Sequence, residues 1–493
     1  MLDFSVSLAI LVLVLAVFAW VGLGLGRDRN LEEFAVARNS QNGLGLGLSF
    51  FASGVGAWIL FAAPEIGAST GIAGVVGYAV AVTVPLIGLV LVGKRLRALI
   101  PQGHNLVEFV RLRYGSTMHI YALVISMMYM LIALSAELTA IGAVLGRMSD
   151  LDPRLGIVAV ALITALYTAY GGLRASIRTD RWQSWMLFAL LLVVGMVLFG
   201  GLARAEAPLD PALLTVDLGG VEAALTLVVA VTATTLFHNG YWQRVWAARD
   251  SRALSRGAVI GAVTRFPVVF AAALVGLLAA GYGVALGTPA VPFFALLESQ
   301  PGWVLAAVLV LTLALVASTV DTLQNGLAAM AVTHVPRLGL TGARIATIVF
   351  TAIPALIAFQ GFSVLRLFLI ADLLCAATII PILLGLWRRS TSTGAICGSI
   401  AGLVAALGYG WIAGGNLPAA VAIATFAQGL SLAPFLAALA ASAVVTLLVS
   451  AIAGRSTDLA SLGGQARSLD GPSGPTADTG ELLESSTAEE NAR

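Results

Sequence analysis

The chain has 493 residues, of which 59% are hydrophobic and only 11% charged, with a formal net charge of +2 and a mean hydropathy of +0.96. Soluble domains carry about a quarter charged residues, so this composition excludes a soluble enzyme and describes a polytopic, all-α membrane protein. Two cysteines, Cys375 and Cys397, both in apolar segments, exclude a disulfide framework and any cysteine-based metal site.

The N-terminus, MLDFS, lacks the basic region of a cleavable signal peptide. The apolar run 4–26 that follows is therefore read as a retained first helix. Apolar segments long enough to span recur about thirteen times. Their approximate cores are 4–26, 44–68, 72–93, 117–146, 154–172, 182–203, 221–240, 257–284, 303–333, 342–360, 363–387, 394–414 and 431–453. Arginine crowds alternate loops, among them Arg27, Arg29 and Arg38, then Arg174, Arg178 and Arg181, then Arg388, Arg389 and Arg455; the opposite loops hold only Arg147, Arg154 and Arg204. The positive-inside rule makes the arginine-rich set cytoplasmic, with the N-terminus outside and the C-terminus inside. Residues 456–493, rich in Ser, Gly, Asp and Glu, are expected to form a disordered cytoplasmic tail after a transmembrane domain at 1–455.

One stretch stands apart. Phe51 to Ile72 is apolar, yet it carries Gly54, Gly56, Pro64 and Glu65. Proline and glycine let a helix bend or break, and a carbonyl freed in lipid must find another partner. A broken helix at mid-membrane depth points to an ion or solute site; a kinked structural helix is the alternative reading. A second stretch, Thr312 to Asn325, sets Leu315, Ser318 and Thr319 on one helical face beside Asp321. Hydroxyls and carbonyls are oxygen ligands suited to a hard cation, and a carboxylate inside a membrane is a functional hypothesis by default. Singly, Ser318 and Thr319 have a plainer use in helix packing. Glu137 lies in the middle of its helix and is a candidate for a solute or proton role. Asp372, two turns from Arg366, reads as one half of a structural pair. Asn239–Gly240 is a helix-breaking dipeptide that closes the seventh span.

Together these stretches resemble the sodium:solute symporter family over about residues 40–400. ASGVGAW with its following proline, Trp58 six residues before Pro64, is similar to the first core helix of the proline-transporter members. YTAYGGLRASIRTD and Gln183 resemble the family signature. HNLVEFVRLRYG (His104 to Gly115), YWQRVWAAR (Tyr241 to Arg249) and the acid at Asp321 look closest to the urea-active-transporter branch. The resemblance implies a leucine-transporter-type fold: ten core helices (44–387) in two inverted repeats of five, an extra first helix (4–26) and two peripheral ones (394–453). It implies Na⁺ as the coupling ion, held by the carbonyls of Ala52, Val55 and Leu315 and the hydroxyls of Ser318 and Thr319. Asp180 and Asp321 become candidates for a second cation site or a countercharge. Gly54, Trp58, Glu137 and Asn239 become candidate solute contacts. Gly54 stands where proline-type members carry aspartate and sugar-type members asparagine, and Ile59 where sugar members carry glutamine; both departures argue against proline and hexoses. The expected function is Na⁺-driven symport of a small polar solute, urea or a similar nitrogenous compound, in the plasma membrane. No enzymatic step, organic cofactor or nucleic-acid partner is expected. An H⁺-coupled symporter, a passive facilitator and a membrane-embedded sensor are the competing readings.

Overall fold

The computed structural model describes residues 1–24, 30–202, 209–286, 291–297, 300–427, 429–453 and 456–470. The expectations for Arg27, Arg29, Arg204 and Arg455, and for residues 471–493, lie outside the described residues. Among those described, the chain is helical throughout, with two isolated backbone bridges and no strand.

In chain order the helices are α1 (Phe4–Leu23), α2 (Leu31–Ala35), α3 (Gly43–Gly54), α4 (Trp58–Ala81), α5 (Val84–Leu99), α6 (Leu106–Tyr114), α7 (Ser116–Met148), α8 (Pro153–Leu202) and α9 (Leu218–Phe237). They continue as α10 (Asn239–Ala247), α11 (Ser251–Gly281), α12 (Pro292–Ala295), α13 (Gly302–His334), α14 (Gly339–Ala358), α15 (Val364–Leu383), α16 (Ser392–Gly414), α17 (Leu417–Ala424) and α18 (Ala433–Ala453). Several starts are fixed by a polar cap that satisfies an orphan amide. Asn42, Asn105, Asp217, Asp250 and Thr391 each accept from the amide three residues on.

Among the described residues eleven helices are long and apolar enough to cross a membrane, two of them folded back on themselves at a glycine. Gly71 (φ 63°) turns α4 back, so that a methyl on Gly74 would meet the Ile66 side chain at 3.0 Å. Gly172 (φ 49°) does the same in α8, and Tyr167 and Ser176, on opposite sides of it, bond one carboxylate, that of Asp321. In a straight helix nine residues would hold them roughly 13 Å apart. These left-handed positions favour glycine, which has no Cβ to clash. Counting each folded helix twice gives the thirteen crossings of the sequence. The sixth, however, begins directly after Gly172 instead of at 182. Arg174, Arg178 and Arg181 therefore lie on its first turns, not in a loop.

The break in the first core helix lies at Val55–Ala57, between α3 and α4. Pro64 sits inside α4 without ending it. The seventh crossing does not close at Asn239–Gly240; it breaks at His238 and resumes as α10. Two sets of five crossings thus each open with a broken helix, α3–α4 and α9–α10. An odd number of crossings per set makes the second enter from the opposite face, which is an inverted repeat. Close backbone contact joins the sets: a methyl on Gly67 would overlap the Ala273 carbonyl, and one on Gly276 that of Pro64. Small residues permit such approach in membrane helices.

The arginine-rich end is tied together. Arg38 donates to the carbonyls of Pro101 and Gly103, and Arg113 to those of Gly385, Trp387 and Ser390. Residues 456–470, expected to be disordered, belong to this closure. Leu459, Leu462 and Ala466 are buried, and Asp470 accepts from the amides of Leu31 and Glu32 at 2.9 Å. A few apolar anchors and one cap hold a segment whose composition alone gave no core. The arginine-poor end contains hollows of about 430 to 500 Å³.

Candidate ion and solute sites

Two buried carboxylates organise the region beside the first break. Asp180, on the second arm of α8, accepts from Ser49 of α3 at 2.5 Å, Ser318 of α13 at 2.7 Å and Arg244 of α10 at 2.7 Å. Arg244 also donates to Ser49 at 2.7 Å. All four residues are fully buried. Asp180 does not pair with its sequence neighbours Arg178 or Arg181: turning at Gly172 carries it inward, to an arginine sixty-four positions away. Asp321 is satisfied differently, by Tyr167 and Ser176 at 2.7 Å and Thr179 at 3.0 Å, with no ion pair to a cationic side chain among the described residues. Thr322 bridges the two clusters, 3.2 Å from Arg244 and 3.3 Å from Ser176.

The expected sodium ligands lie on α3 and its C-terminal end and on α13, the two helices that the Asp180 cluster joins. Ala52, Val55, Leu315 and Ser318 are wholly buried and Thr319 is nearly so. Ser49, three residues before Ala52, shares the Asp180 carboxylate with Ser318, which draws α3 against α13. The Ser318 proton is committed to Asp180, and that of Thr319 to the Leu315 carbonyl at 3.2 Å. A hydroxyl has one proton and two lone pairs. Both oxygens therefore keep lone pairs for a cation. At the end of α3 the last carbonyls, Ala52 and Val55 among them, have no onward helical partner. An all-oxygen set of hydroxyls and carbonyls fits a weakly held Na⁺.

The other candidates divide. Gly54 and Trp58 line a cavity of about 100 Å³ between the two broken helices, with Tyr78, Tyr129, Tyr241, Arg265 and Asp372. Glu137 is not on that wall. Its carboxylate accepts from the Ala57 amide at 2.8 Å and fills the space a Gly56 side chain would need. It holds the break open by capping α4, where partial positive charge gathers. Asn239 is likewise away from the cavity, donating to the Gly326 carbonyl at 2.8 Å. Asp372 does not pair with Arg366, which bonds Thr425 instead. Arg265 escaped the sequence reading, although an arginine inside an apolar span was a sufficient signal. Tyr167 and Ser176 stand inside the signature stretch without a role assigned to them, and Ser49 carried no signal beyond being polar. An apolar hollow of about 430 Å³, lined by Leu192, Met196 and Pro267, faces the exposed apolar girdle and offers nothing to hold a polar solute.

Residues 34–402 match the sodium:solute symporter family. The chain belongs to that family. Its members are transporters, not enzymes, and the chain is a multi-pass membrane protein. The spermidine transporter DUR31 of Candida albicans is 28% identical over 364 residues, which are 72% of this chain and 70% of that one. The sodium/pantothenate symporter of Escherichia coli is 24% identical over 50% of this chain and 54% of its own. Probable urea active transporter 1 of Schizosaccharomyces pombe is 23% identical over 45% and 36%. Among solved structures, a Na⁺-coupled sialic acid symporter in a substrate-bound outward-open state aligns over 92% of this symporter-family chain and 99% of its own. Its TM-score is 0.74 and its identity 16%. Mhp1, in a closed conformation, aligns over 88% and 99% with a TM-score of 0.57 and 15% identity. The fold is thus that of leucine-transporter-type carriers, as the two five-crossing sets require.

Proposed function

We propose that this chain is a Na⁺-driven symporter that imports a small polar nitrogenous solute of the urea type across the plasma membrane by alternating access. The observation that carries the reading is the commitment of the Ser318 and Thr319 protons to Asp180 and Leu315, which leaves oxygen lone pairs beside the open carbonyl end of α3. In this reading Ala52, Val55, Leu315, Ser318 and Thr319 hold Na⁺, and the ion staples α3 to α13. The solute sits in the 100 Å³ cavity beside Gly54 and Trp58. The arginine-rich end is cytoplasmic by the positive-inside rule, with the N-terminus outside and the C-terminus inside. Its tied ends, against hollows at the opposite end, describe an outward-facing form. Inward Na⁺ movement supplies about 2.3 kcal/mol per charge per 100 mV, besides its concentration gradient. Coupling follows when ion and solute both bind one state better than the other.

In the reading proposed here Arg244 takes the place of a second cation at Asp180. Asp321, satisfied by hydroxyls alone, favours a second reading in which a proton is the coupling ion. Uptake into proteoliposomes with Na⁺ replaced by choline at fixed pH separates the two: loss of accumulation supports Na⁺, and retention supports H⁺. Within the Na⁺ reading, Ser318→Ala and Thr319→Ala should each raise the half-maximal Na⁺ concentration. One lost oxygen contact costs about 1–3 kcal/mol, roughly five- to a hundred-fold. Unchanged Na⁺ dependence in the well-expressed double variant would falsify the site.

A further inference from the structure

Two buried groups of opposite charge face the central cavity without pairing. Arg265, on α11, lies with its guanidinium against Gly54, where any side chain would overlap Nη2. Nη2 is held by the Phe50 carbonyl and, at 3.2 Å, by the Tyr241 hydroxyl, and the guanidinium lies 5.3 Å from the Tyr241 ring. Its Nε has no hydrogen-bond partner although it is buried. Asp372, on α15, borders the same cavity and is 6% exposed. Among the described residues neither forms an ion pair with any side chain. The Thr234 side chain meets Asp372, but a buried carboxylate without a cation and a buried donor left unmade are both costly. A solute that met both would remove both costs at once.

We propose that Arg265 and Asp372 form a bipolar clamp for a small solute of zero net charge, which presents an oxygen acceptor to the Arg265 Nε and N–H donors to Asp372. The inference rests on the reading of this cavity as the solute site and adds to it the chemistry of the solute. Three observations set that chemistry. The cavity is small, about 100 Å³, so the solute is compact. The two wall charges cancel, so a net-charged solute would leave one of them uncompensated in a low-dielectric site. Trp58, Tyr78 and Tyr129 add flat ring faces to the wall beside the hydroxyl residues Thr234 and Thr235, which suits a planar or compact polar solute. A polyamine fails on both counts: it is too long, and it brings several positive charges to a guanidinium. A simple carboxylate satisfies Arg265 and is repelled by Asp372. A neutral urea or amide and a small zwitterionic amino acid share the required chemistry, and the experiment distinguishes them.

The test uses the full-length purified protein and four probes, urea, free glycine, spermidine and acetate, each titrated by thermal shift in Na⁺ and again in choline. Urea or free glycine should stabilise the protein in Na⁺, and spermidine and acetate should not at equal concentration. Urea alone identifies an amide solute, and free glycine alone a zwitterion. Arg265→Gln and Asp372→Asn should each weaken the stabilising neutral probe at least tenfold while keeping the shift produced by Na⁺ alone. If Arg265→Gln does not fold, Gly54→Ala tests the same side, since its methyl lies where the guanidinium lies. Stabilisation by spermidine or acetate in preference to both neutral probes overturns the clamp. So does unchanged neutral-probe affinity in the folded variants, or binding of none of the four by a protein that still responds to Na⁺. Loss of the Na⁺ response in the unaltered protein overturns the sodium reading instead, so the two failures are told apart.

Discussion

Asp180 and Asp321 are both fully buried on facing helices, yet the chain compensates them in opposite ways. Asp180 has a guanidinium at 2.7 Å and two hydroxyls. Asp321 has three hydroxyls from α8 and no cationic partner. The difference teaches that the first carboxylate already has a cationic side chain tethered to it, whereas the second, among the described residues, rests on hydroxyls. Arg244 is a tethered positive charge that cannot leave during transport, so Asp180 orients Ser318 permanently. Asp321 is held only by dipoles, which stabilise a carboxylate or its protonated form with modest rearrangement.

The largest expected effect breaks the compensated pair. Arg244→Gln leaves the buried Asp180 charge unbalanced and should destabilise the protein by about 3–5 kcal/mol. Thermal denaturation in detergent reads this directly. Adding Asp180→Asn should recover part of the loss, because the uncompensated charge goes with it. A single variant as stable as the parent would show that the pair is not the anchor described.

Asp321→Asn probes the other member. No cation is orphaned, so the loss of stability should be smaller, on the order of 1–3 kcal/mol for weakened hydrogen bonds. Na⁺ affinity should fall while transport stays Na⁺-dependent. Disappearance of a pH dependence of uptake, with Na⁺ affinity unchanged, would move Asp321 to the role of proton carrier. Tyr167→Phe is milder still. It removes one of three donors and should cost about 0.5–1.5 kcal/mol. A cost equal to that of Asp321→Asn would mean that Tyr167 alone positions the carboxylate.

The crossings and the first break were legible because their causes are local: apolar length for a span, glycine for a turn. The shared face of Leu315, Ser318 and Thr319 on α13 was legible because helical spacing puts them together. The partners of Asp180 were not. Arg244 is distant in sequence, and only the fold-back at Gly172 brings it near. Glu137, polar in the middle of a helix, and Asn239, polar at a break, read as candidate solute contacts, but a break itself needs polar groups to satisfy its freed backbone. One caps an amide and the other tethers a carbonyl. The packing of residues 456–470 escaped because three buried apolar side chains do not alter the composition of a polar segment.

The smallest expected effect lies outside the membrane, where a third carboxylate follows the rule of Asp180. Glu32 accepts from His104 Nε2 at 2.9 Å and pairs with Arg38, and its other contacts are Ser468 and the Leu469 amide of the C-terminal strap. Glu108 holds the other ring nitrogen of His104 at 2.9 Å. Burial alone would depress His104, but the hydrogen bonds and charges of Glu108 and Glu32 outweigh it and raise its pKa to about 9. Burial alone would likewise raise Glu32, but His104 and then Arg38 hold it down to about 2. The His104 contribution is complete below its ordinary value of 6.5 and is lost as pH rises through about 9. The Glu32 contribution is complete above its ordinary value of 4.5 and is lost as pH falls through about 2. Attachment of residues 456–470 should therefore be firmest between these ordinary values. Local opening that also frees His104 from Glu32 and Glu108, read by hydrogen exchange corrected for the intrinsic rate, should rise by at most about tenfold per pH unit on the alkaline side, because one proton then leaves per opening. His104→Gln should flatten that alkaline limb and leave the transmembrane carboxylates, and transport at neutral pH, unchanged. An alkaline limb that persists in His104→Gln would show that the strap is held by its apolar anchors and by Asp470 on α2, with no part played by the charge on His104.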